Sequence, residues 1–285
     1  MDRIIVIGIH EKRDPVMKLF YRKYGESGPP LIIVHGLYGA SDNWISIARE
    51  LSAKFEVFVI DQRNHGESQH SEIHSYESMQ EDLLEFMNEH NLEKAILMGH
   101  SMGGKTVMSF AATYPEKVIS LIVVDIAPKS YKEQAITSHI TANHAKMIDA
   151  MLALNMDHMD TREEVSSALA TSIGSERVRM FLLKNLTRNR EKKFCWKINL
   201  PVLKKYLDEI MDELPLDEVK ARGGVRGFPV LFIRGENSDY IQPEDHENIR
   251  KVFPGAEIVS IPNSGHWVHA EQPELLLKTL KYFLD

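Results

Sequence analysis

The stretch AILMGHSMGGKTVMSF, residues 95–110, decides the fold. Its first four residues, Ala95 to Met98, read as a strand buried on both faces, and from Lys105 onward the apolar spacing is helical. Between them stands Gly99-His100-Ser101-Met102-Gly103-Gly104. This is G-x-S-x-G in the strand-then-helix setting that gives the pattern its meaning. The flanking glycines remove side chains that would collide with neighbouring backbone in so tight a turn. Ser101 is lifted off the strand end with a helix N-terminus beneath it, a place that favours developing negative charge. Ser101 is the candidate nucleophile.

Working outward, five more short apolar runs are bounded by turn residues: LIIV (31–34), VFVI (57–60), LIVV (121–124), VLFI (230–233) and EIVSI (257–261). Helical patterns separate most of them, for example over 76–90 and 105–114. The alternation predicts an α/β fold with a doubly wound, mostly parallel sheet. Two extended stretches near 3–9 and 16–21 have no helix between them and predict an antiparallel hairpin at the N-terminal edge of that sheet. From about Tyr131 to Arg226 no strand pattern appears, while Met147, Met151, Leu154, Phe181 and Leu182 recur at helical spacing. The expected organisation is a core made of residues 1–130 and 227–285 with a helical cap, residues 131–226, inserted between two sheet strands. Such a cap sits over the strand ends, where open α/β sheets bind ligands.

A serine hydroxyl is a poor nucleophile at neutral pH, so it needs a base and donors for the oxyanion that forms on attack. Of the 13 histidines, His266 stands in a late turn with small neighbours, Asn263-Ser264-Gly265-His266-Trp267, just after a predicted strand. It is the candidate base, and His269 falls on the approach to the last helix. The turn Val34-His35-Gly36-Leu37-Tyr38-Gly39 can aim a backbone N–H at the same point as that of Met102, so Leu37 and Met102 are the expected oxyanion donors. His35 reads as a residue that fixes the turn.

Composition narrows the rest. The 285 residues are 43% hydrophobic and 26% charged, with a formal net charge of −7, which suits a globular protein and argues against a nucleic-acid partner. The one cysteine, Cys195, excludes an intrachain disulfide, and a free thiol fits a reducing compartment. The apolar run Ile4 to Ile9 is shorter than a signal-peptide core or a membrane span. A cytoplasmic protein without stable membrane insertion is expected, as a monomer or small homo-oligomer. His139, His144 and His158 match no compact ligand pattern, so neither metal nor organic cofactor is expected. The run Arg188, Arg190, Lys192, Lys193 reads as a solvated helix end that could otherwise meet phosphates.

The motifs HGLYG (35–39), DQRNHGES (61–68), GHSMGG (99–104) and NSGHW (263–267), in that order, resemble the α/β-hydrolase family over nearly the whole chain. VDIAP (124–128) and RGENSDYI (234–241) are similar to a subgroup of esterases active on acyl esters and acyl-CoA thioesters. The resemblance implies an α/β-hydrolase fold and a serine carboxylic-ester hydrolase for short- to medium-chain acyl esters, with thioesters as related small-molecule substrates. In Asp61-Gln62-Arg63-Asn64-His65-Gly66 the charged groups are expected to tie down a loop. The common family position for the triad acid, three residues after Gly235, holds Ser238 instead of a carboxylate. Asp239 lies one residue off, and Asp125 ends the strand beside the nucleophile strand. The subgroup implies Asp125 as the acid with Ser238 as an auxiliary partner of the histidine, and Asp239 is the alternative acid. The rival functions on this fold are a C–C bond hydrolase, a cofactor-free haloperoxidase and a non-catalytic ligand-binding module.

Overall fold

The computed structural model describes residues 17–132 and 138–285, with backbone only at 138 and 139. The strand expected at 3–9 lies outside the described residues. The strands are β1 (Tyr21–Tyr24), β2 (Pro30–Val34), β3 (Glu56–Ile60), β4 (Ala95–His100), β5 (Val118–Val124), β6 (Leu186–Arg188), β7 (Phe194–Trp196), β8 (Val230–Gly235) and β9 (Ala256–Ile261). Seven of them form one sheet in the order β1-β3-β2-β4-β5-β8-β9. All its pairings are parallel except β1 on β3. The antiparallel edge therefore exists, but its described strand is Tyr21–Tyr24, slightly later than the stretch expected at 16–21.

The continuous apolar runs have a plain cause. Alternate residues of each strand enter two separate cores. Ile32, Val34, Leu97, Val123 and Phe232 face one, and Leu31, Ile33, Met98, Ile122 and Ile233 face the other. The helices α1 (Ile45–Leu51), α2 (Tyr76–Glu89) and α3 (Met102–Thr113) follow β2, β3 and β4 in turn. Ser75 caps α2 by accepting from the backbone N–H of Ser78.

Between β5 and β8 the chain forms α4 (Ser138–Leu152), α5 (Arg162–Ala170), α6 (Glu176–Leu183), α7 (Leu200–Lys205), α8 (Leu207–Met211) and α9 (Asp217–Ala221). This segment also contains the antiparallel pair β6–β7, where sequence reading expects no strand. Three-residue strands are too short to show alternation. The turn between them is built by Asn189, whose side-chain oxygen accepts from the N–H groups of Glu191 and Lys193, and by Lys192 at φ 64°. The basic run thus occupies a hairpin, not a helix end. Arg188 donates to the Asp160 carbonyl at 2.6 Å and Lys193 pairs with Asp157 at 3.1 Å. The chain closes with α10 (Asp245–Val252), α11 (Val268–Glu271) and α12 (Pro273–Leu284). No helix among the described residues is long and apolar enough to cross a membrane.

The loop after β3 is held by buried charge. Arg63 donates to Asp82 on α2 through Nε (2.6 Å) and a terminal nitrogen (2.8 Å), and both side chains are 2% exposed. Asp61 accepts from the backbone of Ser41 and Glu67. Removing one partner of such a pair leaves a buried charge uncompensated. Asp82→Asn is expected to lower unfolding free energy by about 3–5 kcal/mol, read by urea denaturation. A loss below about 1 kcal/mol would show that the pair contributes no more than a surface ion pair.

Candidate active site

At the C-terminal edge of the sheet the strands end level. Val34 pairs with Gly99, His100 with Val124, Val124 with Ile233 and Gly235 with Ile261. Ser101 and Asp125, the residues that follow β4 and β5, continue this ladder by donating their N–H groups to Val124 and Ile233. Both adopt φ 53°, a left-handed conformation that non-glycine residues hold only where their surroundings impose it. Around Ser101 the imposition is steric. A Cβ on Gly99 would lie 2.2 Å from the Gly103 carbonyl, and one on Gly103 would lie 2.4 Å from the Val34 carbonyl. The elbow and the start of α3 at Met102 follow directly.

The structure brings Asp125, Ser238 and His266 together. His266 Nδ1 lies 2.8 Å from Asp125 Oδ2. The same oxygen accepts a very short hydrogen bond from Ser238 Oγ, and Oδ1 accepts from the Gly235 N–H at 2.8 Å. Asp125 is wholly buried, and burial pushes its carboxyl up to about 7 against the opposing pull of the Ser238 and Gly235 donors. Burial pushes the His266 imidazole down, to about 3, so it is neutral at neutral pH. The donors on Asp125 and its bond to Nδ1 direct His266 Nε2 away from the acid. Asp239, the alternative acid, is an exposed residue at the cavity wall, and His266 Nδ1 faces Asp125 instead.

Two neighbours of His266 escaped sequence reading. His100 places Nε2 2.8 Å from the His266 carbonyl, which ties the serine's own strand to the histidine's backbone. Tyr240 stacks its ring on His266 at 3.6 Å and 11°. Its hydroxyl lies 2.9 Å from His144 Nε2 on α4. The one signal for Tyr240 in the sequence is its closeness to Ser238, whose Oγ accepts the Tyr240 N–H at 3.3 Å.

The turn after β2 lies against the elbow. A Cβ on Gly36 would sit 3.0 Å from the Ser101 Cβ. His35 fixes this turn by bonding the Gly36 carbonyl and accepting the Gln62 N–H. His65 Nε2 accepts the N–H of Tyr38, itself at φ 62°. Among the described residues, no backbone carbonyl in a turn, loop or cap accepts from the N–H of Leu37 or Met102.

Ser101 and His266 open onto a cavity of about 290 Å³. Ile140 and Met147 of α4 and Val178 and Phe181 of α6 supply apolar wall from the inserted segment. Leu37 also lines it, whereas Met102 is buried beneath. Cys195 and the basic hairpin do not line it. Of the other histidines, His144 lines the wall, His158 lies in a short turn outside it, and the side chain of His139 is outside the described residues.

A sequence profile described as the alpha/beta hydrolase fold matches residues 29–273. The chain belongs to the α/β-hydrolase family. It is 45% identical to a solved marine microorganism esterase, with a TM-score of 0.87, covering 94% of this chain and 99% of that one. It is 39% identical over 258 residues to a putative esterase/lipase of Haemophilus influenzae, covering 90% of this chain and 83% of the relative. It is 37% identical over 258 residues to an sn-1-specific diacylglycerol lipase of Mus musculus, covering 90% and 81%. The α/β-hydrolase fold with an antiparallel sheet edge is thus established, and the chain is an ester-hydrolysing enzyme of the serine-hydrolase type.

Seven histidines, His35, His65, His74, His100, His144, His266 and His269, are held by burial below their ordinary value. The unfolded chain binds their protons near pH 6.5 and the folded chain does not, so stability falls as pH drops below 6.5. Asp125 and Asp61, whose carboxyls are raised, oppose this with fewer protons. Each net proton contributes about 1.4 kcal/mol per pH unit. Urea unfolding at steps between pH 7 and 4.5 is expected to show a steep loss equivalent to several protons. A flat profile would mean that these imidazoles are protonated in the fold.

Proposed function

We propose that this enzyme hydrolyses short- to medium-chain acyl esters through a Ser101–His266–Asp125 relay, with Ser238 as auxiliary. The reading rests on the 2.8 Å bond between His266 Nδ1 and Asp125 Oδ2 at the sheet edge where Ser101 stands. Asp125 holds the tautomer with hydrogen on Nδ1 and stabilises the imidazolium that forms. Ser238 and Gly235 donate to Asp125 and favour its charged form.

His266 Nε2 takes the Ser101 proton as Oγ attacks the acyl carbonyl. The Leu37 and Met102 N–H groups receive the oxyanion, each lowering the barrier by about 3 kcal/mol. The tetrahedral intermediate collapses, the C–O bond breaks, and the imidazolium hands its proton to the departing alcohol. Water then attacks the acyl-enzyme, His266 again accepting the proton, and the acid is released. A thioester differs in its leaving group alone. The inserted segment acts as the cap, its aliphatic wall receiving the acyl chain. The cavity of about 290 Å³ stands at the lower end of the usual size for small-molecule sites, which favours the shorter chains.

Initial rates on p-nitrophenyl esters from acetate to palmitate, beside matching acyl-CoAs, test this. Ser101→Ala is expected to lower kcat by at least about 10⁴-fold. Asp125→Asn is expected to cost about 10³–10⁴-fold, and Asp239→Asn less than about threefold. The reverse ranking of the two aspartates would move the acid to Asp239. Activity unchanged in Ser101→Ala would remove the serine mechanism.

A further inference from the structure

The turn that carries Leu37 is gripped by the inserted segment. Gly36 to Gly39 close a four-residue turn, the Gly39 N–H donating to the Gly36 carbonyl at 2.9 Å. The third residue of this turn, Tyr38, stands at φ 62°, where glycine or asparagine is the usual occupant. Two residues of the insertion hold it there. Asn185, between α6 and β6, donates its side-chain amide to the Tyr38 carbonyl at 2.7 Å. The Tyr38 hydroxyl donates to the His144 carbonyl on α4 at 3.2 Å. Asn185 is 2% exposed and does not line the catalytic cavity. Its amide also reaches the Leu182 carbonyl at 3.3 Å, so both partners are acceptors and the nitrogen must face them. Its own carbonyl receives the Lys197 N–H at 2.8 Å, which fixes Asn185 to the base of the hairpin.

We propose that Asn185 is a positioning residue for the oxyanion hole, acting on the Leu37 N–H through two peptide groups. The proposal rests on the reading above, in which that N–H receives the oxyanion of the Ser101 adduct. The hydrogen bonds lie in series. The Tyr38 carbonyl and the Gly39 N–H are the two ends of one peptide group, and the Gly36 carbonyl and the Leu37 N–H are the two ends of the next. Asn185 donates to the first group, and the first group donates to the second. Bonds in such a chain polarise one another, so a donor at its head strengthens the donor at its tail. They also fix the plane of the Leu37 N–H, and an oxyanion donor works by being held in place before the charge develops. From the core side His35 Nδ1 reaches the same Gly36 carbonyl at 2.8 Å, and its Nε2 accepts the Gln62 N–H, so the hydrogen is on Nδ1. The insertion therefore does more than wall the acyl chain. It braces the oxyanion turn from behind.

The test compares two inhibitors, pentyl trifluoromethyl ketone and the corresponding secondary alcohol. Ser101 Oγ adds to the ketone carbon, its proton passing to His266, and the carbonyl oxygen becomes a tetrahedral oxyanion. The alcohol has the same skeleton and forms no such adduct. The ratio of the two inhibition constants reads the oxyanion hole and does not depend on how much of a variant folds. In the wild type the ketone is expected to bind at least about 100-fold more tightly than the alcohol. Asn185→Leu and Asn185→Asp keep the size of the side chain and lack its N–H. In both, that preference is expected to fall about tenfold, a part of what the loss of a whole oxyanion donor costs. On p-nitrophenyl butanoate kcat is expected to fall by the same factor with KM within about twofold, as for an interaction made in the transition state. An unchanged ratio in both variants, whether or not substrate and both inhibitors bind more weakly, would show that Asn185 only packs the insertion onto the core, and overturns the proposal. So does a preference kept in Asn185→Asp and lost in Asn185→Leu, because the N–H is then not what matters. A wild-type ketone that binds no better than the alcohol, or turnover that survives Ser101→Ala, overturns the oxyanion reading and this proposal with it.

Discussion

Three donors from three segments converge on the Asp125 carboxylate: the Gly235 N–H at the end of β8, the Ser238 hydroxyl in the following turn, and His266 Nδ1 beyond β9. Asp125 itself leaves β5 at φ 53° and is tied by its own N–H to Ile233. One wholly buried side chain therefore registers β5, β8 and the histidine loop against one another. A buried carboxylate is costly unless its lone pairs are filled, and here the residues that fill them are the ones that must be aligned. Polar satisfaction and site geometry are the same requirement.

Close backbone approach makes that convergence possible. A Cβ on Gly235 would lie 2.2 Å from the Gly265 carbonyl, so the histidine turn can pack onto the end of β8 because no side chain stands there. Gly99 and Gly103 do the same for the elbow. His100 closes the circuit from the other side by bonding the His266 carbonyl. Ser101 is thus held at the end of β4 and His266 in the turn packed on the end of β8, each through backbone contacts.

The inserted segment is bound to this frame by polar links as well as by apolar packing. Lys105 on α3 is wholly buried and donates to the carbonyls of Lys129 and Asp212, with Tyr131 beneath its ammonium at 5.0 Å. Burial lowers it to about 7. The Tyr131 hydroxyl bonds the Tyr240 carbonyl, and Tyr240 reaches from His266 to His144 on α4. A change in the insertion can therefore reach the site histidine through packed and hydrogen-bonded neighbours. The same crowding explains why so many histidines are buried here: several serve as fixed hydrogen-bonding wedges in turns, as His35 and His65 do.

The sequence by itself determined the sheet and its elbow. Six strands and the G-x-S-x-G turn are legible because two-faced burial forces unbroken apolar runs, and a tight turn forces glycine at Gly99 and Gly103. His266 was legible from the glycine turn around it. Asp125 as the acid with Ser238 beside it was readable only through the family resemblance, with Asp239 as the alternative, because the meeting of Asp125 with His266 Nδ1 spans 141 residues and is seen in the fold alone. Tyr240, His144 and His269 were invisible for a related reason. Tyr240 meets His144 across 96 residues and His269 meets Trp44 across 225, and no local pattern records such meetings. The β6–β7 hairpin was missed because three residues cannot display a period. Local chemistry is written in the order of residues; which side chains share one cavity is decided by packing, and packing exists in the folded chain alone.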